Sequence, residues 1–212
     1  MRRLPVYLLL DVSGSMTGEP IEAVKNGVQM MQSALRKDPY ALESAYISVI
    51  TFSNDVQQTI PLTEVSQFQP PNLSASGGTA LGAALQKVAE CATNEVVKST
   101  KEQKGDWKPL VFIMTDGTPT DNVEPGIEIF KKYNWGIIVA CAAGQHADKT
   151  ILQRLTENVV TLDTADSTTI GAFFKWVSSS ISASSKKVDE VGNDDVSNEL
   201  PPPPPEINLA QP

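Results

Sequence analysis

The sequence predicts an α/β fold: a doubly wound, mostly parallel sheet with one antiparallel edge strand and helices on both faces. Three observations carry this. Strand-like apolar runs alternate with amphipathic helical stretches over the first 184 residues, which is the pattern of βα units. The runs at 6–10 and 110–114 are apolar without alternation, as strands covered on both faces are. One pair of strand-like segments, 46–52 and 56–62, is separated only by the turn residues Ser53, Asn54 and Asp55. That pair reads as a hairpin and supplies the antiparallel strand.

Taken in order, residues 5–10 form the first strand. Pro20 opens a helix, where a missing N–H costs nothing. Ile21, Val24, Val28, Met31 and Leu35 then recur on one face at helical spacing, and Met30 and Met31 read as core filling. After the hairpin comes a polar loop, 63–78, with Pro70-Pro71 and Gly77-Gly78. A second helix starts near Thr79, with Leu81, Leu85, Val88 and Ala92 in phase. Residues 110–114 are a buried strand ending at Thr115-Asp116-Gly117. A helix follows at 124–133, a strand at 136–142, a short helix at 149–155 and a strand at 159–162. Ile170, Phe173, Phe174, Val177 and Ile181 mark a last helix, and no internal repeat is present.

Composition bounds the function. The chain has 212 residues, 41% of them hydrophobic and 20% charged, which suits one domain with an ordinary core plus an appendage. A net charge of −8 argues against nucleic acid or anionic lipid as a main partner, since both need basic patches. Cys91 and Cys141 form no CxxC and His146 is the single histidine, so a Cys/His zinc site is excluded and two reduced thiols are expected. The longest apolar stretch, 136–144, is about half of what a membrane span needs. Arg2 and Arg3 precede a short apolar run, but it ends at Asp11 with no small-residue cleavage site, so it reads as a strand and the cytoplasm as the default location. Residues 185–212 hold six acidic residues, two lysines, no aromatics and the run Pro201–Pro205. They are expected to form a disordered tail on a domain spanning 1–184, or a polyproline II ligand for a partner's groove.

In an open parallel sheet, ligands sit at the carboxyl ends of the strands. Three polar clusters fall there: Asp11-Val12-Ser13-Gly14-Ser15 after the first strand, Ser76-Gly77-Gly78-Thr79 at the second helix, and Thr115-Asp116-Gly117-Thr118 after the 110–114 strand. Asp11, Ser13 and Ser15 alternate, so a turning loop converges their oxygens, with Gly14 allowing the bend. Any one cluster alone is a helix cap or a helix start. Together Asp11, Ser13, Ser15, Thr79 and Asp116 offer two carboxylates and three hydroxyls, with no nitrogen or sulfur. Hard oxygen donors of this kind suit Mg²⁺, with Mn²⁺ or Ca²⁺ as substitutes, and leave a coordination position for an outside ligand.

The segment Asp11-Val-Ser-Gly-Ser resembles the DxSxS motif of von Willebrand factor type A domains. Thr79 in Ser-Gly-Gly-Thr and Asp116 in Met-Thr-Asp-Gly resemble that family's separate threonine and aspartate, and the likeness runs over roughly residues 4–184. The resemblance implies a metal-ion-dependent adhesion site at which the ion recruits an Asp or Glu of a partner protein without catalysis. Within the family, the strand starting almost at Met1, the stretch Ser-Ala-Ser-Gly-Gly-Thr-Ala-Leu-Gly-Ala-Ala-Leu over 74–85 and Lys108-Pro-Leu-Val-Phe-Ile-Met-Thr-Asp-Gly look like the stand-alone bacterial branch of tellurium-resistance operons. That implies a stress or tellurite-resistance role with kinase-like and phosphatase-like proteins as partners.

Enzymatic readings lack their parts. A Mg²⁺-dependent phosphatase of the haloacid-dehalogenase type needs a second Asp where Ser13 stands. Lys108, a candidate for holding phosphate, precedes its strand and so lies at the wrong end of the sheet. There is no GxGxxG or GxxxxGK[ST], and His146 has no Ser or Cys nucleophile paired with it. A third reading is a structural adaptor acting through the proline-rich tail.

Overall fold

A computed structural model describes residues 2–190 and 200–210. Seven strands make one sheet in the order β3-β2-β1-β4-β5-β6-β7. They are β1 (Leu4–Asp11), β2 (Ala45–Phe52), β3 (Val56–Glu64), β4 (Leu110–Thr115), β5 (Ile138–Ala143), β6 (Val159–Leu162) and β7 (Asn208–Leu209). The helices are α1 (Glu19–Leu35), α2 (Pro39–Ser44), α3 (Leu81–Glu95), α4 (Glu124–Lys132), α5 (Lys149–Gln153) and α6 (Ser167–Glu190). β1 pairs in parallel with β2 on one side and β4 on the other, and β4, β5 and β6 continue in parallel. β3 returns antiparallel on β2, as the hairpin chemistry of 53–55 predicts.

The alternation of side chains across β1 explains the two-layer core. Leu4, Val6, Leu8 and Leu10 face one way and pack with Val24, Val28 and Met31 of α1 and with Phe173, Phe174 and Val177 of α6. Tyr7 and Leu9 face the other way, against Leu81, Leu85 and Val88 of α3 and Ile127 and Phe130 of α4. All eight residues of β1 are buried, so its continuous apolar run is that of a central strand.

Four features depart from the sequence reading. The short helix α2 begins at Asp38-Pro39, where the Asp38 carboxylate accepts from the N–H groups of Tyr40 and Ala41; this cap and the following proline are a legible start signal. Met30 is not core filling but is 50% exposed, while Met31 beside it is buried. The helix predicted to begin near Thr79 starts at Leu81, which leaves Thr79 in the loop.

The fourth departure is the tail. α6 runs on past 184 to Glu190, and residues 200–210 pack on the domain instead of forming a disordered tail. Asn208 and Leu209 add a second antiparallel edge strand opposite Thr161 and Val160 of β6. Ile207 is buried in the core beside α6 and Leu200 packs against the same cluster. Composition forbids this segment a core of its own, but docking on an existing surface needs only one or two apolar anchors. The expectation of disorder over 191–199 lies outside the described residues.

Candidate metal centre

The strand order reverses at β1, so the crevice between the carboxyl ends of β1 and β4 is the switch point where ligands of doubly wound sheets bind. Asp11 ends β1, and Asp116 follows β4 directly. Beyond Asp11 the chain makes one 3-10 turn, Gly14–Met16, before entering α1. The Ser13 N–H donates to Asp11 Oδ1 at 2.8 Å, closing the chain into a tight turn. Ser13 Oγ then lies 3.0 Å from Ser15 Oγ, and Ser15 Oγ donates to Asp116 Oδ1 at 2.7 Å. A continuous line of oxygen atoms therefore runs from the first carboxylate to the second across the switch point.

Thr79 enters from the loop before α3. Its N–H donates to Thr120 Oγ1 at 2.9 Å, and its carbonyl accepts from the Thr120 N–H at 2.9 Å, which fixes it against the loop after β4. Thr79 Oγ1 and Ser15 Oγ stand 3.4 Å and 3.7 Å from the point where a Cβ on Gly117 would sit. The five residues singled out from the sequence are thus brought together around Asp116 and Gly117. Asp11 is fully buried, Thr79 is 4% exposed and Asp116 8%, while Ser15 stays open to solvent.

Glycine at 77 is required twice over. Its φ is +78°, and a Cβ there would come within 2.8 Å of the Asn54 side chain. Gly14 acts differently from the expected tight bend: its φ is not positive, and what it provides is close approach. Its N–H donates to the Gly77 carbonyl at 2.9 Å, which stitches the loop after β1 to the loop before α3.

Sequence reasoning missed four supporting residues. Thr115 Oγ1 donates to Asp11 Oδ2 at 2.6 Å and so holds the buried carboxylate in one orientation. Asn54 Oδ1 accepts from the Gly78 N–H, Thr120 anchors Thr79, and the Asp121 carboxylate accepts from the N–H groups of Gly82 and Ala83 at the start of α3. A signal for Thr115 exists, because Leu10 is in register with Met114 and the next pair across the sheet is Asp11 and Thr115. The others are tertiary partners with no local signature.

The electrostatics favour a cation. Burial pushes the Asp11 carboxyl above its ordinary range; hydrogen bonds from Ser13 and Thr115 pull it partly back, and the Asp116 charge pushes it up again. Burial likewise raises Asp116, against the Ser15 hydrogen bond. The neighbouring His146 also acts against the rise at Asp116. Two carboxylates are therefore withdrawn from water beside three hydroxyls, and a divalent cation would relieve both the burial penalty and their mutual repulsion. The residues fit a hard, oxygen-seeking ion. Among the described residues no group of three or more His, Cys, Asp or Glu forms a competing metal cluster.

Comparison with known proteins shows the family and the fold. Residues 6–175 match the von Willebrand factor type A domain. A human (Homo sapiens) relative, inter-alpha-trypsin inhibitor heavy chain H6, is 26% identical over 165 residues, covering 71% of this chain and 12% of that protein. Proximal thread matrix protein 1 of the mussel byssus, solved with a zinc-occupied MIDAS motif, superposes with a TM-score of 0.62 at 20% identity, covering 84% of this chain and 48% of that one. The pilus adhesin SpaC of Lactobacillus rhamnosus GG, in its open conformation, superposes with a TM-score of 0.65 at 14% identity, covering 86% of this chain and 30% of that one. The chain thus spans about an eighth of the human relative and less than half of these structural ones. No helix among the described residues is long and apolar enough to cross a membrane.

Proposed function

This chain belongs to the von Willebrand factor type A domain family, and from that membership we propose that it is a metal-dependent protein-binding module. Asp11, Ser13, Ser15, Thr79 and Asp116 hold a Mg²⁺-class ion whose remaining position recruits an Asp or Glu of a partner. The observation that carries this reading is the pair of buried carboxylates joined by hydroxyls at the switch point, with Ser15 open to solvent. Two carboxylates are too few to saturate a divalent ion, and a closed structural site would bring more. An ion so weakly neutralised attracts an incoming carboxylate.

Domains of this family generally mediate metal-dependent protein–protein interaction, and the mussel relative's MIDAS motif takes zinc. Zn²⁺ and Mn²⁺ are therefore tested beside Mg²⁺ as the resident ion. The reading continues to a cytoplasmic role in a bacterial stress or tellurite-resistance system, with kinase-like or phosphatase-like partners. The motif similarity set out from the sequence supports that context. Catalysis is not part of the proposal: Ser13 occupies the place where a phosphatase would need its acid, and Lys108 precedes β4 at the far end of the sheet.

The test is affinity capture of partners from native cytosol with the tagged chain, in millimolar Mg²⁺, Mn²⁺ or Zn²⁺ and in chelator. The expected result is a set of proteins retained with metal and released by chelator, and lost with Asp11→Asn. Partners that persist through chelation would overturn the metal-bridged interface. Turnover of a phosphate ester that requires Asp11 would overturn the non-catalytic reading.

A further inference from the structure

The net charge of −8 conceals a basic surface at the amino end of the sheet. Between the end of α3 at Glu95 and the start of β4 at Leu110 the chain runs without helix or strand. A connection of that length is uncommon inside a domain unless it is functional or disordered. This one is ordered by its own hydrogen bonds. Its neck is closed twice: the Val97 N–H donates to Asp106 Oδ2 at 2.8 Å, and the Asp106 N–H donates to the Val97 carbonyl at 2.8 Å. Within the loop, the Gly105 N–H donates to Ser99 Oγ at 2.9 Å and the Thr100 N–H to the Gln103 carbonyl at 2.8 Å. The two residues before β1 fasten the neck to the sheet. Arg3 pairs with Asp106 at 2.6 Å. Arg2 donates to the Gly105 carbonyl at 2.7 Å and lies 4.0 Å over the ring of Trp107. The result is a compact Ω-loop on a fixed base.

Lys98, Lys101 and Lys104 recur on this loop at every third position, all exposed, against a single exposed acid, Glu102. Cations in the last turn of a helix complement its dipole, as Lys131 and Lys132 do on α4. The three loop lysines lie on no helix, so the dipole does not explain them. Beside them is a cleft of about 490 Å³ whose walls include Arg2, Arg3, Val97 and Lys104. Val97 is 51% exposed there, an apolar side chain among cations. We propose that this Ω-loop and its cleft are a docking surface for an acidic segment of a partner protein, with carboxylates meeting the lysines and one apolar side chain meeting Val97. A protein segment fits better than a nucleic acid. No aromatic ring lines the cleft to stack a base, and Trp107 is buried beneath Arg2. A long polyanion would also meet the rest of a chain that is acidic overall, whereas a short segment is screened from charges beyond a Debye length of about 8 Å. The eight residues of β1 separate this surface from the ion site at the carboxyl end by about 25 Å. The two ends can therefore hold two partners at once, which makes the domain a bridge between them.

The probe is a short dye-labelled peptide of aspartate and glutamate around one leucine, titrated with the full chain at low salt. Chelator is present throughout, so no ion can draw the carboxylates to the other end and the outcome is independent of the ion site. Fluorescence anisotropy is expected to show saturable binding that weakens as salt is raised. The variant K98Q/K101Q/K104Q is expected to bind roughly 5–100-fold more weakly at an unchanged Tm, since each exposed pair contributes little alone and three act together. The variant K98R/K101R/K104R keeps the charge and is expected to bind as the native chain does. A peptide with serine in place of the leucine is expected to bind the native chain more weakly. Absence of saturable binding at low salt, equal binding by the native and glutamine chains, or loss of binding in the arginine chain would overturn the loop as a docking surface. Equal binding of the serine peptide would overturn the contact with Val97. Tighter binding of a single-stranded RNA homopolymer, or of vesicles containing phosphatidylserine, through the same lysines would overturn the acidic protein segment as the occupant.

Discussion

Replacing Asp11 by asparagine isolates its charge from its packing. Asp11 is fully buried and accepts two hydrogen bonds, from the Ser13 N–H at Oδ1 and from Thr115 Oγ1 at Oδ2. Asn keeps the acceptor at Oδ1, and the Thr115 hydroxyl can rotate to accept from the new amide. The metal-free variant should therefore fold and be at least as stable as the metal-free native chain, because the repulsion between Asp11 and Asp116 is gone. Metal separates the two proteins. Ligand at ~100 times its dissociation constant stabilises by about 2.7 kcal/mol, which for a domain of this size is a rise in Tm of about 5–10 °C. Thermal unfolding with millimolar metal and with chelator should show that rise for the native chain and none for Asp11→Asn. The sign with pH is also fixed. Both folded carboxyls lie above their ordinary range. The stability they contribute is complete below the ordinary aspartate value, about 3.9, and is lost as pH climbs through the raised folded values. The deficit of the metal-free native chain relative to Asp11→Asn should thus appear as pH leaves the acid range and vanish at low pH, and the metal-induced rise should follow the same course, because the ion binds the deprotonated carboxylates. An equal metal shift in both proteins, or a metal-free variant destabilised by more than ~2 kcal/mol, would refute the assignment of Asp11 as a charge awaiting a cation.

Three further outcomes are expected. Thr115→Val preserves shape but leaves Asp11 Oδ2 without its donor; metal affinity should fall by ~10–100-fold in a calorimetric titration, with a stability loss of about 1–3 kcal/mol. Thr79→Ala removes one neutral oxygen while Leu81 and Leu85 remain packed, so metal-dependent partner retention should drop far more than Tm; a double-mutant cycle with the partner's carboxylate should be non-additive. Burial pushes the Cys91 thiol up to about 11 and Cys141 higher still, so neither should react with a thiol reagent at pH 8 until the chain is unfolded in denaturant, and rapid native labelling would contradict their burial.

Much of this molecule was legible because its signals are local or periodic. The apolar run of β1, the helical spacing in α1 and α6, and the turn at 53–55 each fix an element on their own, and the parallel order follows from their alternation. The candidate site was legible for the same reason: four of its five donors stand at or after strand ends and the fifth, Thr79, precedes a helix, each within a short motif. What stayed hidden depends on partners distant in sequence. Asn54, Thr120 and Asp121 gain their roles only when three loops meet. The docking of 200–210 was hidden because acidic and proline-rich composition reports that a segment cannot fold alone and says nothing of whether a neighbour offers a groove. Met30 was misjudged because helical phase near the edge of a stripe does not separate a buried position from an exposed one.

The ion site has no local version. Asp11 and its orienting hydroxyl on Thr115 stand 104 residues apart, and Ser15 and the carboxylate it meets stand 101 apart. No short fragment reproduces the arrangement, and a chain still on the ribosome lacks it until β4 has emerged and paired with β1. A metal ion therefore has nothing to grip while the sheet is assembling, and cannot template the slow, long-range closure that parallel pairing demands. Its stabilisation falls on the exit side of the folding barrier, lowering the rate at which finished molecules come apart. Under the proposed function, a partner docking through the ion would sample only completed domains, so that recruitment would double as an inspection of whether the fold is intact.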